Sequence, residues 1–117
     1  MSKQSGPRVK AGYVDTIVLG LLAREPMYGY QICREIECLT EGRMEFKDGT
    51  LYPSLRRMEK AGLIEGYWEE PEVCGRPRRR YYRLTKAGRE AFRERTAEWR
   101  EFRRLLDRLL GEQPCFV

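Results

Sequence analysis

Two groups of cations stand out among the residues that could do chemistry. Arg76, Arg78, Arg79, Arg80, Arg83 and Lys86 follow one another between Gly75 and Lys86 with no acid among them, and Lys47, Arg56, Arg57 and Lys60 lie upstream. Arginine presents a planar fork of donors that fits carboxylate or phosphate oxygens, and lysine presents a compact point charge. The chemistry available to both groups is therefore recognition of anions. Machinery for catalysis is missing: the chain has no histidine, no phosphate-cradling glycine loop, and no nucleophile beside an evident base. Cys33, Cys38, Cys74 and Cys115 contain no CxxC pair, and Cys33 and Cys38 would point to different sides of a helix, which is poor geometry for a shared metal. An enzyme is not expected, nor a metal or other cofactor, and the thiols read as reduced.

The elements that must hold these cations can be read from spacing. From Phe46 to Leu63 a helical period puts Leu51, Leu55 and Met58 on one narrow apolar stripe and Gly49, Pro53, Arg56, Arg57 and Lys60 on the other side. Pro53 lacks an N–H, which predicts a place in the first turn and a cap near Asp48, Gly49 or Thr50, while Ala61-Gly62 supplies a left-handed stop. A short helix with a bare basic face and an outward N-terminal half suits the major groove of DNA, where the positive end of the helix dipole favours phosphate and Arg can reach guanine edges.

Upstream, residues 1–11 are polar and basic with a Gly-Pro break and read as a flexible arm. Val14, Ile17, Val18, Leu21 and Leu22 predict a first helix from about Gly12 to Arg24, buried on more than one side. A second helix starts near Tyr28, turns Ile32, Ile36 and Leu39 inward, and stops at Thr40-Glu41-Gly42; Arg43–Phe46 alternates like a very short strand. After Gly62 the period changes to alternation. Leu63–Glu69 reads as a strand and Arg79–Leu84 as its antiparallel return, joined by a segment with Pro71 and Pro77 that is too long for a tight turn. Three helices followed by a hairpin with a cationic tip is the order of a winged helix-turn-helix, expected over residues 12–84: a mainly α fold with a small β-hairpin. In that arrangement the arginine run occupies the wing, where it would straddle phosphates beside a helix in the neighbouring groove.

Thr85 opens a last helix that reaches about Leu110, with residues 111–117 as a tail. Phe92, Trp99 and Leu106 recur every seven residues, and Phe102 and Leu109 fall between them, so the run from Trp99 has the spacing of a coiled-coil seam. Residues 85–110 therefore read as a dimerisation helix. The alternative is a helix folded back on the first helix of its own chain, and both contacts can coexist. With 117 residues, a net charge of +5 and pI about 9.2, the chain is one basic domain that admits nucleic acid, an acidic partner or an anionic membrane surface. No apolar run is long enough for a membrane span or a signal peptide core, which makes a cytoplasmic protein the expectation.

Three stretches, Pro26–Ile32, Gly49–Ile64 with its Gly49-Thr50-Leu51-Tyr52-Pro53 start, and Arg78–Gly88 with Arg79-Arg80-Tyr81-Tyr82-Arg83-Leu84-Thr85, closely resemble the PadR family of bacterial transcriptional regulators. The resemblance runs from about residue 14 to 110 and implies a dimeric winged-helix repressor at a palindromic operator, often that of its own promoter. It also implies that Thr50 and Tyr52 belong to the DNA-reading surface, and that Gly29 and Tyr30 serve packing of the second helix. The single C-terminal helix is similar to the smaller branch of the family, in which the last helices cross in the dimer and some members hold planar hydrophobic compounds. Trp99, with Phe102 a turn further on, sits where such an effector would be contacted, although Arg95, Arg100, Arg103 and Arg104 make the surroundings polar.

Within that frame Lys47, Arg57, Lys60, Arg76, Arg78, Arg79 and Arg80 are expected on phosphates, the Tyr52 hydroxyl is placed for one more, and Thr50, Ser54 and Arg56 are the candidates for base edges. Phe92, Trp99, Phe102, Leu106 and Leu109 are the candidates for the dimer seam. The rival reading is a winged-helix module that docks on an acidic protein.

Overall fold

The computed structural model describes residues 11–71 and 75–111. Their order is α1 (Ala11–Leu22), β1 (Met27–Tyr28), α2 (Gly29–Leu39), α3 (Asp48–Lys60), β2 (Ile64–Trp68), β3 (Arg80–Leu84) and α4 (Lys86–Leu110). The expected basic arm, the tail, Cys74 and Cys115 lie outside the described residues, apart from Ala11 and Gly111 at their edges.

Apolar spacing decides which faces close on one another. Val14, Val18, Leu19, Leu21 and Leu22 of α1 meet Ile32 and Ile36 of α2, Leu51, Leu55 and Met58 of α3, and Ile64, Tyr82 and Leu84 of the sheet in one core. Each such aliphatic side chain contributes about 1.5–3 kcal/mol when fully withdrawn from water. The hairpin register pairs Ile64 with Leu84, Gly66 with Tyr82 and Trp68 with Arg80 on the inner face, and Glu65 with Arg83 and Tyr67 with Tyr81 on the outer face. This is a winged helix.

The sheet has a third strand that the alternation did not reveal. Met27 and Tyr28 pair antiparallel with Tyr82 and Tyr81, giving the order β1-β3-β2. The strand expected at Arg43–Phe46 is absent: that segment is irregular, and its alternation reflects Phe46, buried, and Met44, half-buried, pointing into the core without a partner strand. Leu39, expected inward, is exposed, on the rim of an open groove that Ile17 and Leu21 of α1 and Phe92 of α4 also line.

Helix α3 also begins earlier than expected. Lys47 is its cap, and the Lys47 carbonyl accepts from the N–H groups of Thr50 and Leu51 at 2.9 Å each. Pro53 consequently sits in the second turn, and its missing N–H leaves the Gly49 carbonyl without a helical donor; Gly49 is exposed, so water can serve instead. At the other end the chain passes Gly62 at φ 80° and is stitched to α4 by Thr85, whose hydroxyl donates to the Gly62 carbonyl at 2.6 Å and accepts from the Gly88 N–H at 3.0 Å. Gly111, left-handed at φ 81°, ends α4 as expected. Among the described residues no helix is long and apolar enough to cross a membrane.

Candidate nucleic-acid interface

The surroundings of α3 sort its residues into three strips. Ser54 and Arg57, three residues apart and so on one side, face α1. The Ser54 hydroxyl donates to Asp15 Oδ1, and Arg57 Nη2 lies 2.7 Å from the same oxygen. Tyr52 and Glu59 lie on the opposite flank. The Tyr52 ring is half-buried against the core with its hydroxyl on Gly29, where an added Cβ would come within 2.2 Å of the oxygen. Glu59 takes Arg80 of the wing at 3.1 Å. Between these flanks Gly49, Arg56 and Lys60 are exposed and Pro53 is half-exposed; Thr50 is exposed on the Asp15 side one turn before Ser54, and Lys47 stands exposed at the cap. Among the described residues Lys47, Arg56 and Lys60 take part in no ion pair.

Three of the α3 site residues read from the sequence have partners within the chain. Ser54 is fully buried and cannot reach a base edge; its place on the helical wheel, among Leu51, Leu55 and Met58, was the signal. Arg57 gives Nη2 to Asp15, and about half of its side chain stays exposed. The Tyr52 hydroxyl seats α3 on α2 rather than extending to a phosphate, and burial pushes its pKa up. Gly29 packs as expected, but Tyr30 does not: it is 61% exposed and stands beside Arg34. The residue that sequence reading missed is Asp15. It is the only charged residue of α1, set between Val14 and Ile17, and that isolation was its signal.

The wing differs from α3 in how its cations are answered. Glu69 accepts from both ends of the loop, through the Arg76 guanidinium and the Arg79 backbone N–H at 2.9 Å, while its carbonyl accepts from Arg78 Nε at 3.0 Å. The hydrogen bonds from Arg76 hold the Glu69 carboxyl below the usual carboxylate range, against the opposing effect of its desolvation. Arg83 pairs with Glu65 at 2.8 Å and lies over the Tyr67 ring at 4.5 Å. Arg79 lies over Tyr28 at 4.2 Å. Arg80 crosses Gly66, where a Cβ would come within 2.7 Å of its guanidinium, to reach Glu59. The run from Gly75 to Lys86 contains no acid, yet the hairpin register and α3 bring Glu65, Glu69 and Glu59 to it. Arg76 and Arg80 are thus braces of the wing, and among the described residues Arg78 and Arg79 are its cations without an ion pair.

Along α4 the seam divides in two. Phe92 is half-buried on Gly20 of α1, so it belongs to the contact within the chain and not to an open seam. Trp99 touches Tyr13 of α1 edge-on at 6.0 Å and Phe102 at 6.2 Å, yet remains 45% exposed. Beyond it Phe102 and Leu109 are exposed, as are Leu105 and Leu110, which a strict heptad reading leaves out; Leu106 is half-buried.

Known proteins resemble this chain in both sequence and fold. The Transcriptional regulator PadR-like family matches residues 18–94. A protein X of Lysinibacillus sphaericus is 35% identical over 96 residues, which cover 82% of this chain and 86% of that protein. Among solved structures, a transcriptional regulator from Clostridium thermocellum is 36% identical with a TM-score of 0.75, over 83% of this chain and 89% of that one. A PadR family transcription regulator from Clostridium difficile is 33% identical with a TM-score of 0.75, over 86% of this chain and 100% of that one.

Proposed function

Since the chain belongs to the PadR-like family of transcriptional regulators, we propose that it is a homodimeric repressor that reads a palindromic operator at its own or a neighbouring promoter through α3 and the wing. The observation that carries this reading is the outward strip of α3. Lys47, Thr50, Arg56 and Lys60 face away from the core with no acid paired to the three cations, and the strip is flanked by the wing through Arg80 and Glu59. Arg56 and Thr50 contact base edges, Lys47 and Lys60 contact phosphates, and Arg78 and Arg79 at the wing add contacts to the neighbouring backbone.

The two-fold operator follows from α4. Trp99, Phe102, Leu105, Leu109 and Leu110 leave an apolar strip along a helix whose other positions are mostly charged, and a second copy covers it. A planar hydrophobic effector at Trp99 and Phe102 would release DNA by binding one spacing of the two reading heads better than the other; equal affinity would shift nothing.

Selection of sites from random duplex with the purified protein tests the reading, followed by binding to the selected site across a salt series. A two-fold symmetric site and an affinity falling steeply with salt are expected. Failure to enrich any site, or an affinity for acidic polypeptide with none for duplex, overturns it in favour of the protein-docking alternative.

A further inference from the structure

Asp15 is an unusual tenant of its helix. Its neighbours Val14 and Val18 are buried, its own side chain is 14% exposed, and a carboxylate so placed is costly unless donors are brought to it. Both donors come from α3: the Ser54 hydroxyl, itself fully buried, and the Arg57 guanidinium meet on Oδ1.

The rest of the α1–α3 contact is apolar, made by Leu51, Leu55 and Met58 against the α1 face. Apolar contact is non-directional and tolerates rocking or rolling of one helix on another, whereas a hydrogen bond fixes direction. We infer that Asp15 is a positioning residue for DNA reading: it sets the roll of α3 about its own axis, and with it the direction in which Thr50 and Arg56 face. The inference rests on the proposal that α3 reads DNA. Successive residues on a helix are about 100° apart, so a roll of a fraction of that step carries Arg56 off a base edge while leaving the phosphate-seeking lysines within reach.

Charge and position make opposite demands here, which makes the idea testable. A carboxylate beside a DNA-binding face repels the duplex, so a chain under selection for affinity alone is better without it. Replacing Asp15 by Asn removes the repulsion and also loosens the clamp. For Asp15→Asn we expect affinity for random duplex to be unchanged or tighter, and affinity for the site selected by the wild-type protein to fall by about tenfold or more, the effect of losing hydrogen bonds to a charged group. Ser54→Ala alters no charge and supports the same measurement if Asp15→Asn fails to fold. It should also weaken only the selected site, and Asp15→Asn with Ser54→Ala together should be little worse than Asp15→Asn alone, because the two residues share one interaction. Circular dichroism and thermal unfolding confirm that each variant is folded.

Variants that keep the wild-type ratio between selected and random duplex, or that lose both in parallel, overturn the role of Asp15. A wild-type protein that binds no duplex overturns the DNA reading itself, and the inference with it.

Discussion

The strip of α3 and the wing look alike as text, each a cluster of cations, and differ in three dimensions in what answers those cations. On α3 the outward residues have only solvent around them, because a helix facing away from its core has no neighbour to supply an acid. In the hairpin each residue of β2 has a cross-strand partner in β3, and Glu65 of β2 and Glu69 just after it meet the arginines of β3 and its loop. A run of charge on a helix face is thus closer to a binding surface than an equal run on a strand, where it can be spent on holding the strand pair together.

The most direct way to break this comparison is to remove three cations from each region. Lys47, Arg56 and Lys60 to Ala, and separately Arg76, Arg80 and Arg83 to Ala, take the same three positive charges from a net charge of +5, so overall charge cannot explain a difference between them. The α3 triple should flatten the salt dependence of duplex binding by about 4–5 in log–log slope, at about 0.9 per lost phosphate contact with each residue present twice in the dimer, and cost several orders of magnitude in affinity. The wing triple should flatten it by about 1 or less. Equal slopes would mean that the wing ion pairs open onto phosphates when DNA arrives.

A second pair of substitutions asks how rigidly each region is seated. Gly29→Ala puts a Cβ 2.2 Å from the Tyr52 hydroxyl, the end of a rigid ring that is itself wedged between α3 and α2. Gly66→Ala puts one 2.7 Å from the Arg80 guanidinium, the end of a flexible chain half-exposed to water. Thermal unfolding should show a loss of about 1–3 kcal/mol for Gly29→Ala. Gly66→Ala should lose about 1 kcal/mol or less, the worth of the Arg80–Glu59 pair that swings away. The reverse order would show the wing, not the reading helix, to be the stiffer part.

Much of the architecture was legible before any coordinates, and for definite reasons. The apolar stripes of α1 and α3 are regular, Thr85 and Gly111 are chemically unambiguous helix ends, and the change of period after Gly62 marks the hairpin. What was illegible depended on contacts distant in sequence. Two residues cannot show alternation, so β1 exists only because β3 offers Tyr81 and Tyr82 an open edge. Phe46 and Met44 imitate a strand because insertion into a core also alternates. The spacing of apolar and basic residues singled out α3, and the resemblance to the PadR family agreed, but Ser54 is buried and Arg57 and Tyr52 each make a contact to α1 or α2 that the sequence did not announce. Asp15 is conspicuous in the sequence as the lone charge of α1, but its role needed its partners on α3.

The wing's own brace gives a smaller effect, visible in acid. Because the Arg76 hydrogen bonds depress the Glu69 carboxyl, its contribution is present above the unfolded value of about 4.3 and is lost as pH falls through the lower folded value. In a Trp99→Phe background, where Trp68 next to Glu69 is the sole tryptophan, emission should stay flat from neutral pH to about pH 5 and change only below about pH 4. Glu69→Gln should remove that transition and give the loosened emission at neutral pH. A transition that survives Glu69→Gln would assign the acid response to another carboxylate and leave the wing unbraced at this point.

The smallest effect sharpens the comparison from the side of α3. Cys33 of α2 donates its thiol to the Phe46 carbonyl at 3.2 Å, in the segment that leads into α3, and its pKa is raised first by burial and then by Asp48, Glu37 and Glu45. A raised thiol holds less thiolate at neutral pH and alkylates slowly, whereas Cys38 is exposed. Peptide mapping after brief alkylation should therefore find Cys38 modified before Cys33, with Cys33 reacting as the Phe46 segment opens locally. The rate at Cys33 then becomes a gauge of how well α3 is seated. Gly29→Ala, which disturbs that seat through Tyr52, should speed it, and the wing triple should leave it alone. A wing variant that speeds Cys33 as much as Gly29→Ala would show that the two cationic regions loosen as one unit, and the contrast between an open helix face and a self-braced hairpin would then describe charge alone and not mechanics.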